Sequence, residues 1–460
     1  MIEIVTSAPL ATVQDLGREG YRRFGVGTAG AMDRLALQTA NLMLGNDPNA
    51  AALEIPASPF ALRFDRDVGF ALTGADCAAT LDDRLLPPWW AASATAGQTL
   101  RLQMPRRGTN AYVALSGGID VPLLLGSRST HLRGAFGGFA GRSLQAGDVL
   151  AAGEPARAMQ REFGVAPPDL ALPFGEPRAE RVTWVRVLPA AEYRCFRDDA
   201  RDALWTASWK ISAQSNRAGY RLTGPDLILN APLEMRSHGL VPGVIQVPHG
   251  GQPIIQLADA YTAGGYPKIG TVIEADLWRI AQAPLGTTLR FRCVSYDEAL
   301  DAAAANAAYL DRQRFWCDLQ DAASRRKFGP AMGTHADDLR AIVDWLALSH
   351  LSGIEIATAS GIVRMAMAVG DAVGSSDNGP VRVVTSPAPG RFHTAHPHRS
   401  TRMAAPASAV RSGDVLALLA SGVIYEPILA PCDGIVLGCL AIDGTLMGYG
   451  APAFLMQPTA

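Results

Sequence analysis

The sequence predicts a mainly β protein of more than one domain, and three observations predict it. Gly (46) and Pro (31) are frequent in 460 residues while only 18% are charged, the composition of a chain with many turns. Residues 1–295 contain strand-length apolar runs, among them 68–74, 111–118, 181–189 and 244–258, that end in turn residues. The last ~80 residues return to the same pattern and repeat it internally. At roughly 150 residues per domain, the length suggests about three domains. Lys+Arg (41) and Asp+Glu (43) nearly cancel to a net charge of −2, which gives no reason to expect nucleic acid or an anionic membrane as a partner. No apolar run approaches the ~18 residues that span a bilayer. The opening MIEIVTSAPLATVQDLG lacks the basic and apolar regions of a signal peptide. A soluble, cytoplasmic protein is expected. Cys77, Cys195, Cys293, Cys317, Cys432 and Cys439 form no CxxC pair and no zinc spacing, so reduced thiols and no metal are expected.

The elements follow in order. Gly30-Ala31-Met32-Asp33 opens a helix through RLALQTANLML, with Leu35, Ala36, Ala40, Leu42 and Met43 largely on one side and Gly45-Asn46 as the stop. Residues 152–178, rich in Pro, Ala and Glu, mark a boundary between two β-rich halves. From Asp297 to about Lys327 the chain is Ala-rich without Gly or Pro and predicts one long connecting helix, ended by Phe328-Gly329-Pro330. His335 to Ala347 reads as an amphipathic helix with Leu339, Ile342, Val343 and Leu346 on one face. Two short strands, GIEIATA and GIVRMAM, and a flexible tether over 371–381 come next. Ser386-Pro387-Ala388-Pro389-Gly390 then recurs 44 positions later as Ala430-Pro431-Cys432-Asp433-Gly434, and Gly413–Leu416 is echoed at Gly450–Phe454. Two related strand–turn–strand halves predict a pseudo-symmetric barrel with a hairpin near Ser421–Tyr425.

Residues 1–295 resemble the carboxyltransferase family that includes allophanate hydrolase subunit 2, the 5-oxoprolinase C-type subunit and the carboxyltransferase part of urea carboxylase. The blocks that carry the resemblance are Thr12–Arg18, Gly20-Tyr21-Arg22, Gly30–Asp33, Ala40-Asn41, Gly45-Asn46, Gly117-Gly118-Ile119 and Leu125–Thr130. Arg217–Leu222, Ile245–Pro248, Gly251–Ile254 and Thr262–Lys268 continue them in the family's order. The resemblance implies two cyclophilin-like β-barrel domains, over 1–165 and 166–295; the linker helix, over 296–330, follows them. It also implies a partner of the allophanate hydrolase subunit 1 type.

Residues 331–460 resemble a biotin carboxyl carrier, a biotinyl/lipoyl-like barrel-sandwich domain. GIEIATA, GIVRMAM, SPAPGRFHTAHP, GDVLALLA and ILAPCDGIV carry this second resemblance. Where the family has Met-Lys-Met, this chain has Gly422-Val423-Ile424. Valine has no amine to acylate, so no covalently bound cofactor is expected. Biotin, where the complex uses it, would arrive in trans on a biotin carboxylase or carrier subunit. No Walker-type loop occurs, so use of ATP belongs to a partner or to the family's own pocket.

Amide or carboxyl chemistry needs donors or cations for developing oxyanions, and one base. Lys268, after Gly264-Gly265-Tyr266-Pro267, is a candidate to hold a carboxylate or polarise a carbonyl, or is a solvated lysine after a turn. Asp259 is a candidate base or an orienting partner of Lys268, or a turn aspartate. Arg217 is a candidate carboxylate clamp or a structural ion pair. Gln246 and Gln252 carry amides that match an amide or ureido substrate, or satisfy strand backbone. Ser127 and Arg128, with Ser129 and Thr130, suit an anion or bond their own loop. Ser215 and Tyr266 complete the substrate-binding set that the resemblance implies. Gln14, Asp15 and Arg18 read as structural. The chain departs from the family pattern at Ala218 and Asn216 beside Arg217, at Asn110, at Ala260-Tyr261-Thr262-Ala263 and at His131, which points to a different substrate. Three functions are therefore carried. The first is the subunit of a carboxyltransferase or ATP-dependent amide-, ureido- or lactam-cleaving complex; the others are a biotin-independent hydrolase or lyase with the tail as a docking module, and a regulatory binding protein. His393, His396 and His398, Cys77 and the Trp89-Trp90 pair are read as loop, thiol and packing residues.

Overall fold

The computed structural model describes residues 1–155, 159, 161–172, 182–325, 353–358, 361–366 and 381–459. The helix expected over 335–347 and nearly all of the tether expected over 371–381 lie outside them. The chain forms two compact units. One comprises Met1–Asp83, Pro88–Met159 and Pro167–Cys317; the other comprises Arg84–Pro87, Gln160–Ala166 and Asp318–Ala460.

The first unit is mostly β, as predicted. One antiparallel sheet has the spatial order Ile119–Asp120, Val149–Ala152, Ile2–Thr6, Phe60–Phe64, Thr99–Leu102, Thr80–Leu81. A second has the order Thr12–Gln14, Ala52–Ile55, Arg107–Leu115, Val68–Asp76, Trp90–Ala94. The predicted early helix forms at Arg34–Leu44 and packs on the strands Val68–Asp76 and Arg107–Leu115. Its ends are set by local chemistry: Asp33 accepts from the Ala36 N–H, and Gly45 closes it with φ of 68°.

Residues 182–293 build a closed barrel of seven strands, in the order Val182–Pro189, Lys268–Val272, Val244–Gln246, Ile254–Gln256, Gly219–Thr223, Trp209–Ile211 and Thr288–Cys293. Parallel pairing of Val182–Val187 with Thr288–Cys293 closes it. Alternate positions fill the interior, among them Val185, Val187, Trp209, Ile211, Ile245, Ile255, Ile269, Leu289 and Phe291.

The long helix spans Tyr296–Arg325. Ser295 and Glu298 exchange side-chain bonds with each other's backbone N–H at 3.2 and 2.7 Å, a capping box of the Ser-x-x-Glu form. Ala302, Tyr309 and Cys317 are buried along one side, and Tyr309 packs with Leu35, Leu172 and Trp278. The helix is thus part of the first unit's core over this stretch rather than only a connector. Its buried stripe is too small and too weakly apolar to stand out in an Ala-rich sequence.

In the second unit, the two expected short strands form at Gly353–Thr358 and Gly361–Ala366, and the structure pairs them antiparallel. The tail forms two four-stranded sheets. One has the order Ile424–Leu429, Val415–Ser421, Gly390–His393, Leu446–Met447. The other has the order Arg382–Thr385, Pro452–Pro458, Gly434–Cys439, Ala409–Val410. The repeat maps one order onto the other strand by strand. It also reproduces individual bonds. Ser386 N–H donates to Ala451 O and Gly450 N–H to Ser386 O, at 2.8 and 2.9 Å. The repeat equivalents, Ala430 to Asp414 and Gly413 to Ala430, measure 2.9 and 2.8 Å.

Gly422-Val423 is the two-residue turn of the hairpin Val415–Ser421/Ile424–Leu429, with Gly422 at φ of 61°. The strand Phe163–Val165 of the same unit pairs with Ile424 and Tyr425, and the Ala166 N–H donates to the Val423 carbonyl at 2.7 Å. The carbonyl of the turn residue Val423 is therefore engaged within this unit. Among the described residues no helix is long and apolar enough to cross a membrane.

Candidate active site

The seam between the N-terminal sheets and the seven-stranded barrel, both within the first unit, is built on charge. The loop Ser215–Ala218 is shaped by Asn216, whose side chain accepts from the Ala218 N–H at 2.9 Å. It delivers Arg217 into the interior. The guanidinium donates through Nε to Asp259 Oδ2 at 3.0 Å and through Nη2 to Asp259 Oδ1 at 3.3 Å and to the Gly30 carbonyl at 2.6 Å. Its Nη1 forms a short ion pair with Glu54. Burial alone would lower the Arg217 pKa, but Asp259 and Glu54 hold it above the usual arginine value.

The network continues inward. Glu54 Oε2 accepts from the Tyr112 hydroxyl at 2.7 Å and from the Met32 N–H at 2.8 Å. The Tyr112 oxygen accepts from the Asp33 N–H at 2.8 Å, and Gln282 Nε2 donates to Asp33 Oδ2 at 2.8 Å. Burial and the charges of Glu54 and Asp33 push the Tyr112 hydroxyl well up. Burial, with Glu54 adding repulsion, raises the Asp33 carboxyl to about 6 despite the bonds from Ala36 and Gln282. A carboxyl raised in this way favours the fold while protonated. Its contribution is complete below the unfolded value of 3.8 and is lost as pH rises through about 6. Asp33→Asn is expected to remove that slope, so that the variant gains about 3 kcal/mol on the parent between acid and neutral pH. Urea titrations at the two pH values measure this, and parallel stability changes would refute it.

The predicted residues divide into three groups. Arg217 and Asp259 are brought together, so Asp259 orients Arg217 rather than Lys268. Lys268 instead pairs with Glu192 at 3.8 Å. Around it, Gln246 accepts from Gln256 at 3.0 Å and donates to the Tyr266 carbonyl at 3.4 Å. Tyr266 is exposed and meets His249 edge-on at 6.0 Å. The other residues serve their own loops. Gln252 clamps Gly224 through both ends of its amide, at 2.9 and 3.0 Å, and donates to Asp226. Ser215 bonds the Arg221 backbone. Ser127 and the Arg128 N–H do bind a carboxylate, but it is the chain's own Asp15, which also accepts from Ser129 and Gly17. An internal anion fills the cradle that the hydroxyl-rich sequence predicted.

Glu54, Tyr112 and Gln282 complete the network without having been expected from the sequence. A charged residue inside the apolar strand Ala52–Ile55 was the available signal for Glu54. His131 lies at the same seam: a Cβ added at Gly27 would sit 3.1 Å from its Nε2 and 3.5 Å from the Ala260 carbonyl. The ring stacks on Phe136 at 4.8 Å. His131 Nδ1 accepts from the Gly134 N–H at 2.9 Å, which leaves Nε2 as a donor in the neutral ring. Burial, with Arg18 and Arg133, lowers its pKa against the pull of Asp259. Among the described residues no group of His, Cys, Asp and Glu could hold a metal ion.

Comparison with known proteins places this geometry in context. Residues 24–293 match the family described as carboxyltransferase domain, subdomain A and B. The chain is 43% identical over 315 residues to the 5-oxoprolinase C-type subunit of Escherichia coli, a match that covers 68% of this chain and 97% of that protein. It is 42% identical over 314 residues to the same-named protein of Haemophilus influenzae, 98% of which is covered. Urea amidolyase of Lachancea kluyveri is 32% identical over 313 residues, 65% of this chain and 17% of that one. Among solved structures, K. lactis urea amidolyase is similar with a TM-score of 0.62 and 27% identity, covering 73% of this chain and 20% of that chain. Kluyveromyces lactis urea carboxylase shares the fold alone, at 15% identity and a TM-score of 0.62 over 99% of this chain and 66% of that one.

Proposed function

Because the chain belongs to the carboxyltransferase subdomain A and B family, we propose that it is the corresponding subunit of an ATP-dependent complex that opens a small amide, ureido or lactam bond, of the 5-oxoprolinase type. The observation that carries this reading is identity of 43% and 42% across 97% and 98% of two bacterial 5-oxoprolinase C-type subunits. ATP is handled with a partner of the allophanate hydrolase subunit 1 type. The tail does not fit a biotin-bearing role: its turn offers Val423, without an amine, and the Val423 carbonyl is bonded to Ala166. It serves as a docking module.

At the seam, Arg217 fixes the orientation of Asp259 through two hydrogen bonds, so that Asp259 accepts from the substrate N–H or takes a proton. His131, donating through Nε2, polarises the carbonyl. Lys268, held by Glu192 at 3.8 Å, is the second candidate cation. The test is turnover of 5-oxoproline by the chain co-purified with its partner. Turnover is expected to require ATP, to survive avidin, and to fall by about 10²–10⁴-fold in Asp259→Asn. Absence of lactam and amide turnover in the assembled complex, or full inhibition by avidin, would overturn the reading.

A further inference from the structure

The loop after the seam's histidine carries one more cation, and what seats it is a ring rather than a carboxylate. His131 caps the short turn Leu132–Gly134, its Nδ1 accepting from the Gly134 N–H at 2.9 Å. The turn holds Arg133 exposed, two residues from the buried His131. The Arg133 guanidinium carbon lies 3.9 Å over the Tyr261 ring, and that ring is itself 58% exposed. Among the described residues no hydrogen bond or ion pair engages the guanidinium. At so short a distance the ring covers the face of the guanidinium and leaves its N–H edges to solvent. The two loops meet twice. Deeper in, His131 Nε2 and the Ala260 carbonyl both close on the point above Gly27, at 3.1 and 3.5 Å from where a Cβ would stand. Further out, Arg133 meets Tyr261. The order outward from Asp259 is therefore His131 with Ala260, then Arg133 with Tyr261. The charges of Asp259 and Arg133 both reach the His131 ring, with opposite effect.

We propose that Arg133, seated on Tyr261, binds the carboxylate of the substrate at the mouth of the seam and so selects anionic over neutral lactams. An edge of a guanidinium presents two parallel N–H groups that match the oxygens of a carboxylate, and here no N–H is spent on the protein. Stacking on the ring holds the long side chain in one place, so less freedom is lost when the anion arrives. Asp259 has the same sign as the ligand's carboxylate. The anion is therefore favoured at the outer end, where the cation lies, and the neutral amide at the inner end. In a lactam that bears its carboxylate on the carbon beside nitrogen, turning the N–H to Asp259 leaves the carboxylate facing outward. Arg133 touches substrate away from the bond that opens, so it contributes to binding and selection rather than to the chemical step. The inference rests on the function proposed above for the lactam and for its orientation at Asp259.

The experiment uses the chain co-purified with its partner. Turnover and calorimetric binding of L-5-oxoproline and of 2-pyrrolidinone (the same lactam without the carboxylate) are measured for the parent, Arg133→Gln, Arg133→Lys and Tyr261→Phe. The parent is expected to prefer L-5-oxoproline. Arg133→Gln is expected to lower that preference about 10-fold, with the loss falling on KM and Kd rather than on kcat. Arg133→Lys restores the charge without the fork and should recover part of the preference. Tyr261→Phe keeps the ring and should keep the preference. A preference unchanged in Arg133→Gln, or a loss equal for both lactams, would overturn the proposal, and continued turnover of L-5-oxoproline would then leave the lactam reading standing. Binding of L-5-oxoproline that depends on Arg133, without turnover, would uphold the proposal and sink the lactam reading. Binding of neither lactam by the parent would sink both.

Discussion

Arg217→Met is expected to destabilise the protein by about 3–5 kcal/mol and to abolish turnover of the assembled complex. The arginine neutralises two carboxylates at once, and the side chains of Glu54 and Asp259 are only 2% and 12% exposed. Removing it leaves two negative charges facing one another with little water to solvate them. Glu54 would still hold the Tyr112 hydroxyl and the Met32 N–H, so it cannot turn away. Arg217→Lys restores one charge but not the fork that reaches Glu54, Asp259 and the Gly30 carbonyl together. It should recover part of the stability and little of the activity. Adding Glu54→Gln to Arg217→Met removes one of the stranded charges and should return part of the loss. Urea unfolding of the four proteins measures these differences. A loss below about 1 kcal/mol for Arg217→Met would mean that the centre is not balanced by this residue.

Gly30→Ala carries the second large effect, through the backbone. Gly30 has φ of 89°, and a Cβ there would lie 2.8 Å from the Gly17 nitrogen and from the Leu16 carbonyl atoms. The loops 15–18 and 28–31 are laced backbone to backbone, Arg18 N–H to Thr28 O and Ala31 N–H to Asp15 O, both at 2.8 Å. Neither loop can yield as a side-chain end would. We expect a loss of about 3 kcal/mol or more, the left-handed conformation costing about 1–2 and the collision the remainder. The displaced Gly30 carbonyl also leaves Arg217, so activity should fall with stability. Gly147→Ala is the control: φ is 88° there too, but its Cβ would meet nothing within 4 Å. It should cost only the conformational part, about 1–2 kcal/mol. Thermal unfolding of the two variants separates the terms, and equal losses would show that the packing of the two loops contributes nothing.

Local signals carried much of the architecture. The Asp33 cap and Gly45 stop bound a helix because the first and last turns of any helix must satisfy their own N–H and C=O groups within a few residues. The tail's repeat was legible for the same reason: turns and strand lengths recur at Ser386 and Ala430, and the fold answers with equivalent bonds. The start of the long helix was legible to within one residue, at Asp297, from composition; the Ser295–Glu298 capping box that sets it at Tyr296 came from the structure. The packed side of the long helix was not legible, because Ala302, Asn306, Tyr309 and Cys317 make no conventional apolar stripe.

Site residues were harder, and particular ones show why. Ser127, Arg128 and Ser129 have the chemistry of an anion site, but sequence carries no information on whether the anion is a ligand or Asp15, more than a hundred positions away. Lys268 and Asp259 lie close in sequence, yet alternation along strands and the turn between them sends each to a different partner, Glu192 and Arg217. Nothing in the letters marks Arg133, because what seats it is Tyr261, more than a hundred positions away.

The sequence by itself determined a mainly β chain, its family blocks, the doubled tail and a valine where a carrier needs an amine. Each of these depends on residue identity or on neighbours within one turn. The tertiary structure alone decided which charges meet: that Arg217 joins two halves of the first unit through Glu54 and Asp259, and that Arg133 is seated on a ring, Tyr261, rather than on a carboxylate. Charge pairing depends on distance in space and on exclusion of water, and neither follows from spacing along the chain.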